Sequence, residues 1–154
     1  MDWIRWIWAP RLGTRVAPIR DLKFIKGSAF DIPNLQGKKV VVLEQWATWC
    51  KPCIHSIPHL TQLAQQYPHV LFVSVTQEKD HAAVKAFVDA MGDEMGVAVA
   101  IDDTGSISQL VRDSAGIGIP HCMVIDAEGY LAWAGHPLEA GMRAGLDTAL
   151  GLYN

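Results

Sequence analysis

From residue 21 onward the chain alternates between apolar runs of strand length and longer segments whose apolar residues recur every three or four positions. That alternation restricts it to a sheet covered by helices and argues against a helical bundle or a β-sandwich. Strands are expected over 21–25, 40–46, 70–76, 97–101, 122–125 and 130–135. Helices are expected from Cys50-Lys51-Pro52-Cys53 to about Gln66, then over 80–91, 106–115 and 138–150. The first helix sets Ile54, Ile57, Leu60 and Leu63 on one side and contains Pro58, whose missing N–H predicts a kink. Asn34-Leu35-Gln36-Gly37-Lys38 reads as a turn, and Asp126-Ala127-Glu128-Gly129 as the turn of a hairpin. The order gives an α/β fold, a central mixed sheet with helices on both faces.

A chain of 154 residues, 50% of them hydrophobic, supports a single core. A formal net charge of −3 supplies no basic field for phosphates, so nucleic acid is not an expected partner. No apolar run approaches the roughly 20 residues that cross a bilayer as a helix. The first 20 residues stand apart, with Arg5, Arg11, Arg15 and Arg20 against Asp2 for a net +3, whereas the remainder carries −6. Arg5 interrupts the run of Trp3, Ile4, Trp6, Ile7 and Trp8, and no small-residue cleavage site follows, so the segment does not read as a signal peptide. The chain therefore divides into a Trp/Arg-rich arm over 1–20 and a domain over 21–154. The arm is expected to pack its indoles on the domain; the alternative is peripheral membrane contact through residues 1–12. As the sequence stands the expected compartment is the cytoplasm, with an exported or membrane-associated setting as the alternative.

Three cysteines are too few for a disulfide scaffold, and Cys50 and Cys53 have a redox or metal spacing. A thiol reacts as its thiolate, and at a helix N-terminus that anion is stabilised by unpaired amides and the helix dipole. Cys50 falls at that position, with Lys51 adding positive charge and Pro52 pre-setting the first turn. Cys53, one turn later, is placed to attack a mixed disulfide formed at Cys50 and to release the partner reduced. Half of a zinc site is the other use of this spacing, although zinc takes four ligands and the chain has no second cysteine pair.

The surroundings sharpen the reading. Trp46-Ala47-Thr48-Trp49-Cys50-Lys51-Pro52-Cys53 after an apolar strand, Pro58 beyond it, and Ile119-Pro120 before a hairpin resemble the thioredoxin superfamily. Within it, the inserted strand and helix before the proline loop and the closing Ile125-Asp126-Ala127-Glu128-Gly129 hairpin resemble the TlpA-like thiol-disulfide oxidoreductases, over roughly residues 28 to 150. The resemblance implies a thioredoxin-like fold in which Cys50 attacks and Cys53 resolves. It also implies a cis Pro120 whose loop lies against the disulfide and offers Ile119 backbone groups to an extended substrate. Trp49, Lys51, Pro52, Ile119, Pro120 and His121 would then face the substrate. Glu44, six residues before Cys50, falls where thioredoxins bury an acid beneath the disulfide, and is expected to relay the Cys53 proton through water. Gln45 departs from the usual aromatic residue and weakens inward packing; His121 departs from threonine, and its imidazole either borders the sulfurs or faces solvent.

The remaining candidates have structural readings. His55 and His59 join Gln62 and Gln66 in a polar stripe, Cys122 is a buried small hydrophobe, and His136 belongs to the Gly135-His136-Pro137 turn. Of Trp46 and Trp49, one packs beneath the dithiol and the other forms an apolar docking surface. The expected function is exchange of a Cys50/Cys53 dithiol and disulfide with protein disulfides or dithiols. An upstream electron donor or acceptor is implied, and the redox-active disulfide serves in place of a bound cofactor or metal. The setting Pro-x-x-x-[Thr/Ser]-x-x-Cys of a peroxidatic cysteine is not met. The alternatives are a soft-metal (copper) chaperone using His121 or His136 beside the cysteines, and a non-catalytic interaction domain.

Overall fold

The computed structural model describes residues 12–17, 19–27 and 39–152. The tryptophans of the arm and the turn expected at 34–38 lie outside them. Six strands form one sheet: β1 (Lys23–Lys26), β2 (Val41–Gln45), β3 (Leu71–Thr76), β4 (Ala98–Ile101), β5 (His121–Ile125) and β6 (Leu131–Gly135). The helices are α1 (Lys51–Gln66), α2 (His81–Met91), α3 (Ser106–Asp113) and α4 (Gly141–Ala149), with a short 3-10 turn at Gly92–Glu94. Spatial order is β1-β4-β3-β2-β5-β6. The central strands β2, β3 and β4 run parallel, and β1, β5 and β6 are antiparallel to their neighbours.

This topology follows from handedness. The chain steps from β2 to β3 to β4 in one direction, and right-handed crossovers therefore put α1 and α2 on the same face. The return from β4 to β5 passes β3 and β2 in the other direction and carries α3 across the opposite face. Side chains alternate accordingly. Val42, Trp46, Phe72, Cys122 and Val124 pack with Leu60 and Leu63 of α1, Val84 and Val88 of α2 and Leu146 of α4. Val41, Leu43, Val73, Val75, Met123 and Ile125 pack with Ile107, Leu110 and Val111 of α3 and with Ile19. Each of these fully buried aliphatic side chains contributes about 1.5–3 kcal/mol to burial.

Local signals account for the element ends. Asp80 caps α2 by accepting from the Ala83 N–H at 3.0 Å. Asp126 Oδ1 accepts from Glu128 N and Tyr130 N, which closes the expected hairpin, with Gly129 at φ 95°. The last helix starts three residues later than its apolar pattern predicts. Leu138 and Glu139 are held in a turn, with Glu139 N donating to His136 O at 3.0 Å and Leu138 N to His136 Nδ1 at 3.1 Å. The turn reading of His136 thus agrees with its placement, and helix geometry begins only at Gly141. α1 runs on through Pro58, which is exposed.

Part of the segment set apart by composition lies against the sheet. Gly13 N donates to Leu131 O at 2.8 Å, Leu131 N to Thr14 O at 2.9 Å and Val16 N to Gly129 O at 2.9 Å. Arg15 is bridged to Tyr130, stacks over its ring, and is followed by a buried Ile19. Among the described residues no helix is long and apolar enough to cross a membrane.

Candidate active site

β2 is one of the two central strands and is paired on both sides, so the loop leaving its C-terminal end rises from the middle of the sheet. In that loop Trp46 N still bonds to Val75 O at 3.1 Å, and Cys50 N bonds back to Ala47 O at 3.2 Å, which closes a turn at the start of α1. Cys50 is the N-cap residue, its backbone extended at φ −88° and ψ 102°. Its Sγ accepts from the Cys53 N–H at 3.2 Å, the place a serine or aspartate oxygen takes in an ordinary cap. Cys50 and Cys53 form a disulfide. Cys53 is wholly buried and Cys50 nearly so.

The two cysteines and the proline loop are brought together. The Ile119–Pro120 peptide bond is cis, and Ile119 O lies 3.9 Å from Cys50 Sγ. Lys51 and Pro52 are exposed in the first turn of α1. The tryptophans separate in burial: Trp46 is 1% exposed and packs on Phe87 at 5.6 Å between ring centroids, whereas Trp49 is 72% exposed beside Cys50. Ile117, in the proline loop, is fully exposed as well. A cleft of about 350 Å³ follows that loop, lined by Gly116 to Pro120 on one side and by Gly135, His136 and Glu139 on the other.

Glu44 lies on the face that carries α1, opposite Ser74 in β3 and Cys122 in β5. It is 1% exposed; Ser74 Oγ donates to its Oε1 at 2.9 Å, and Oε2 has no partner. Burial outweighs the serine and lifts its pKa to about 8. The Cys122 thiol beside it is also pushed up, by burial first and by the Glu44 charge second. Cys122 is wholly buried, as a small hydrophobe would be.

His121 neither borders the sulfurs nor faces solvent. Next to Cys122 in the strand, it points to the opposite face, is buried, and pairs through Nε2 with Ser114 Oγ at 2.8 Å. Burial lowers its pKa, with a smaller opposing pull from Glu139. Gly116 makes room for the ring, since a Cβ there would lie 2.8 Å from Val111 O and 3.0 Å from the imidazole. Gln45, also on that face, is half-buried and donates to Ser108 Oγ at 3.0 Å at the start of α3. Its amide is thus satisfied, and the packing loss expected from a polar residue is offset by that bond. His55 is exposed and His59 partly so, on the outer side of α1. Among the described residues no group of three or more His, Cys, Asp and Glu side chains converges to hold a metal ion.

Sequence reasoning missed Ser74, Ser114 and Glu78, whose carboxylate accepts from Thr48 N and Thr48 Oγ1 in the turn before Cys50. The first two become visible only through strand pairing and the fold of the proline loop. Glu78 had a faint signal, an acid two residues past a strand end, which is also how an ordinary loop reads.

The AhpC/TSA family model matches residues 14–134. The thioredoxin-like protein YneN of Bacillus subtilis is 30% identical over 119 residues, covering 75% of this chain and 66% of that protein. The thiol-disulfide oxidoreductase ResA of Bacillus thuringiensis is 32% identical over 108 residues, covering 68% and 58%. The chain thus spans less than two thirds of the length of either curated relative. A solved structure of a candidate thiol-disulfide oxidoreductase from Bacteroides vulgatus superposes with a TM-score of 0.73 at 19% identity, covering 90% of this chain and 96% of that one. The fold is thioredoxin-like.

Proposed function

The chain belongs to the AhpC/TSA family, and from that premise we propose that it is a thiol-disulfide oxidoreductase acting on protein substrates through Cys50 and Cys53. The observation that carries the reading is the disulfide built into a helix N-cap, with Cys50 Sγ receiving the Cys53 N–H. On reduction the same amide and the helix dipole favour a Cys50 thiolate over a Cys53 thiolate. In the reductive direction the Cys50 thiolate attacks a substrate disulfide, forms a mixed disulfide and expels one substrate thiolate. Cys53 then loses its proton and attacks Cys50 Sγ, which releases the second substrate thiolate and leaves the Cys50–Cys53 disulfide. Two electrons pass to the substrate, and an external dithiol restores the protein.

Glu44 serves as the proton acceptor for Cys53. With a pKa near 8, its neutral and charged forms are both populated near neutral pH, as a proton relay requires. Trp49 and Ile117 form the apolar edges against which the substrate chain lies, and the Ile119 carbonyl offers its backbone to that chain. His121 supports the proline loop from the far face.

The test is equilibration in graded thiol buffers with alkylation and intact mass, on the wild type and on Cys50→Ser. A two-electron transition in the wild type alone is expected. A midpoint near about −270 mV makes the protein a reductant and fits a cytoplasmic setting, whereas one near about −120 mV makes it an oxidant of an oxidising compartment. Failure to form the Cys50–Cys53 disulfide at any poise overturns the reading.

A further inference from the structure

We infer that Glu78 is a positioning residue for protein substrates, acting through Thr48 to fix the turn that presents Trp49 beside Cys50; the inference rests on the oxidoreductase reading. Glu78 lies in the β3–α2 connection and touches none of the reacting atoms. Its Oε1 accepts from Thr48 N at 2.8 Å and from Thr76 Oγ1 at 2.8 Å, and its Oε2 accepts from Thr48 Oγ1 at 2.6 Å. Three hydrogen bonds to one carboxylate are charge-assisted and among the stronger ones a loop can make.

The carboxylate is itself held. Thr76 is buried at the end of β3 and its hydroxyl also accepts from Glu78 N at 3.3 Å. On either side of Glu78, Gln77 Oε1 accepts from Ser108 N at 3.3 Å and Asp80 caps α2. Glu78 is therefore a preformed bracket, fixed to the sheet at one end and gripping Thr48 by its backbone and its hydroxyl at the other. Thr48 precedes Trp49, whose indole stands 72% exposed instead of folding onto nearby apolar surface. A large exposed ring next to a reactive sulfur is useful only if its direction is fixed before a substrate chain arrives. The bracket fixes that direction and leaves the Cys50 cap, made with Cys53 N, untouched.

Glu78→Ala, Glu78→Gln and Thr48→Val separate this role from a structural one. Reduction of insulin is followed with kcat and KM resolved, alongside the reaction of Cys50 with a small aromatic disulfide and the exchange rate of the Thr48 amide. Glu78→Ala is expected to raise KM for insulin about fivefold or more, with kcat and the small-disulfide rate within about twofold of wild type. Thr48 amide exchange should accelerate in the same variant. Glu78→Gln, which keeps an acceptor for the amide, should restore KM to within about twofold. Thr48→Val, which removes one hydroxyl, carries the test if Glu78→Ala does not fold, and should raise KM about twofold. An unchanged KM in these variants, or Glu78→Gln as impaired as Glu78→Ala, overturns the inference. A wild-type chain that neither reduces insulin nor oxidises reduced protein thiols overturns the oxidoreductase reading instead.

Discussion

The two faces of the sheet treat their polar residues differently, although β2 and β5 supply both. On the α1 face, Glu44 keeps one carboxyl oxygen without a partner, Trp46 Nε1 has none, and the Cys122 thiol packs beside the acid. On the α3 face, Gln45 bonds to Ser108 and His121 to Ser114. A satisfied buried pair mainly stabilises, while an unsatisfied titratable group keeps its proton affinity far from the usual value. The face with the missing partners is the one that lies under the disulfide.

The largest effect expected is from Cys50→Ser, a loss of insulin reduction by at least about 10³-fold, since Cys53 and Cys122 are wholly buried and cannot replace it. Next comes Glu44→Gln, with turnover near pH 8 falling about 10- to 100-fold if the carboxylate accepts the Cys53 proton. The same variant has a thermodynamic signature. The folded pKa of Glu44, about 8, exceeds its ordinary value of 4.5, so its stability contribution is fully present below pH 4.5 and is lost as pH rises through 8. Denaturant titrations across that window should show wild-type stability declining by a few kcal/mol relative to Glu44→Gln.

On the other face the effects should be confined to stability. Ser114→Ala leaves a buried imidazole nitrogen unpaired and should cost about 1–3 kcal/mol in urea unfolding, with the redox midpoint unchanged. His121 has a lowered pKa, so whatever stability its neutral form supplies is present above its ordinary value and is lost as pH falls through the folded one. Gln45→Leu, at a half-buried site, should change stability by about 1 kcal/mol or less. A loss of turnover in Ser114→Ala as large as that in Glu44→Gln would erase the distinction between the faces.

Most of the architecture was legible because it depends on periodicity. The apolar runs around Val42, Val73 and Val99 and the helical stripe of Ile57, Leu60 and Leu63 report their burial directly. The cysteine pair was legible because its spacing is local. His121 was not, since whether a residue after the proline faces the sulfurs or the far side depends on strand parity relative to Glu44, and a sequence gives no register between β2 and β5. The start of α4 was misjudged because Leu138 fits the apolar stripe while His136 and Glu139 close a turn around it. Glu78 was invisible for a similar reason, as its partner Thr48 is 30 residues away.

Residues 13–16 hydrogen-bond to Gly129 and Leu131 and so occupy part of the outer edge of β6. An open strand edge is a template on which a second chain can polymerise, and a short covering segment blunts it. The segment therefore acts as a guard on that edge. A tag or fusion partner joined close to Leu12 would pull on that guard, whereas a deletion through residue 17 would bare the Leu131 amide and invite edge-to-edge association, so handles belong beyond α4.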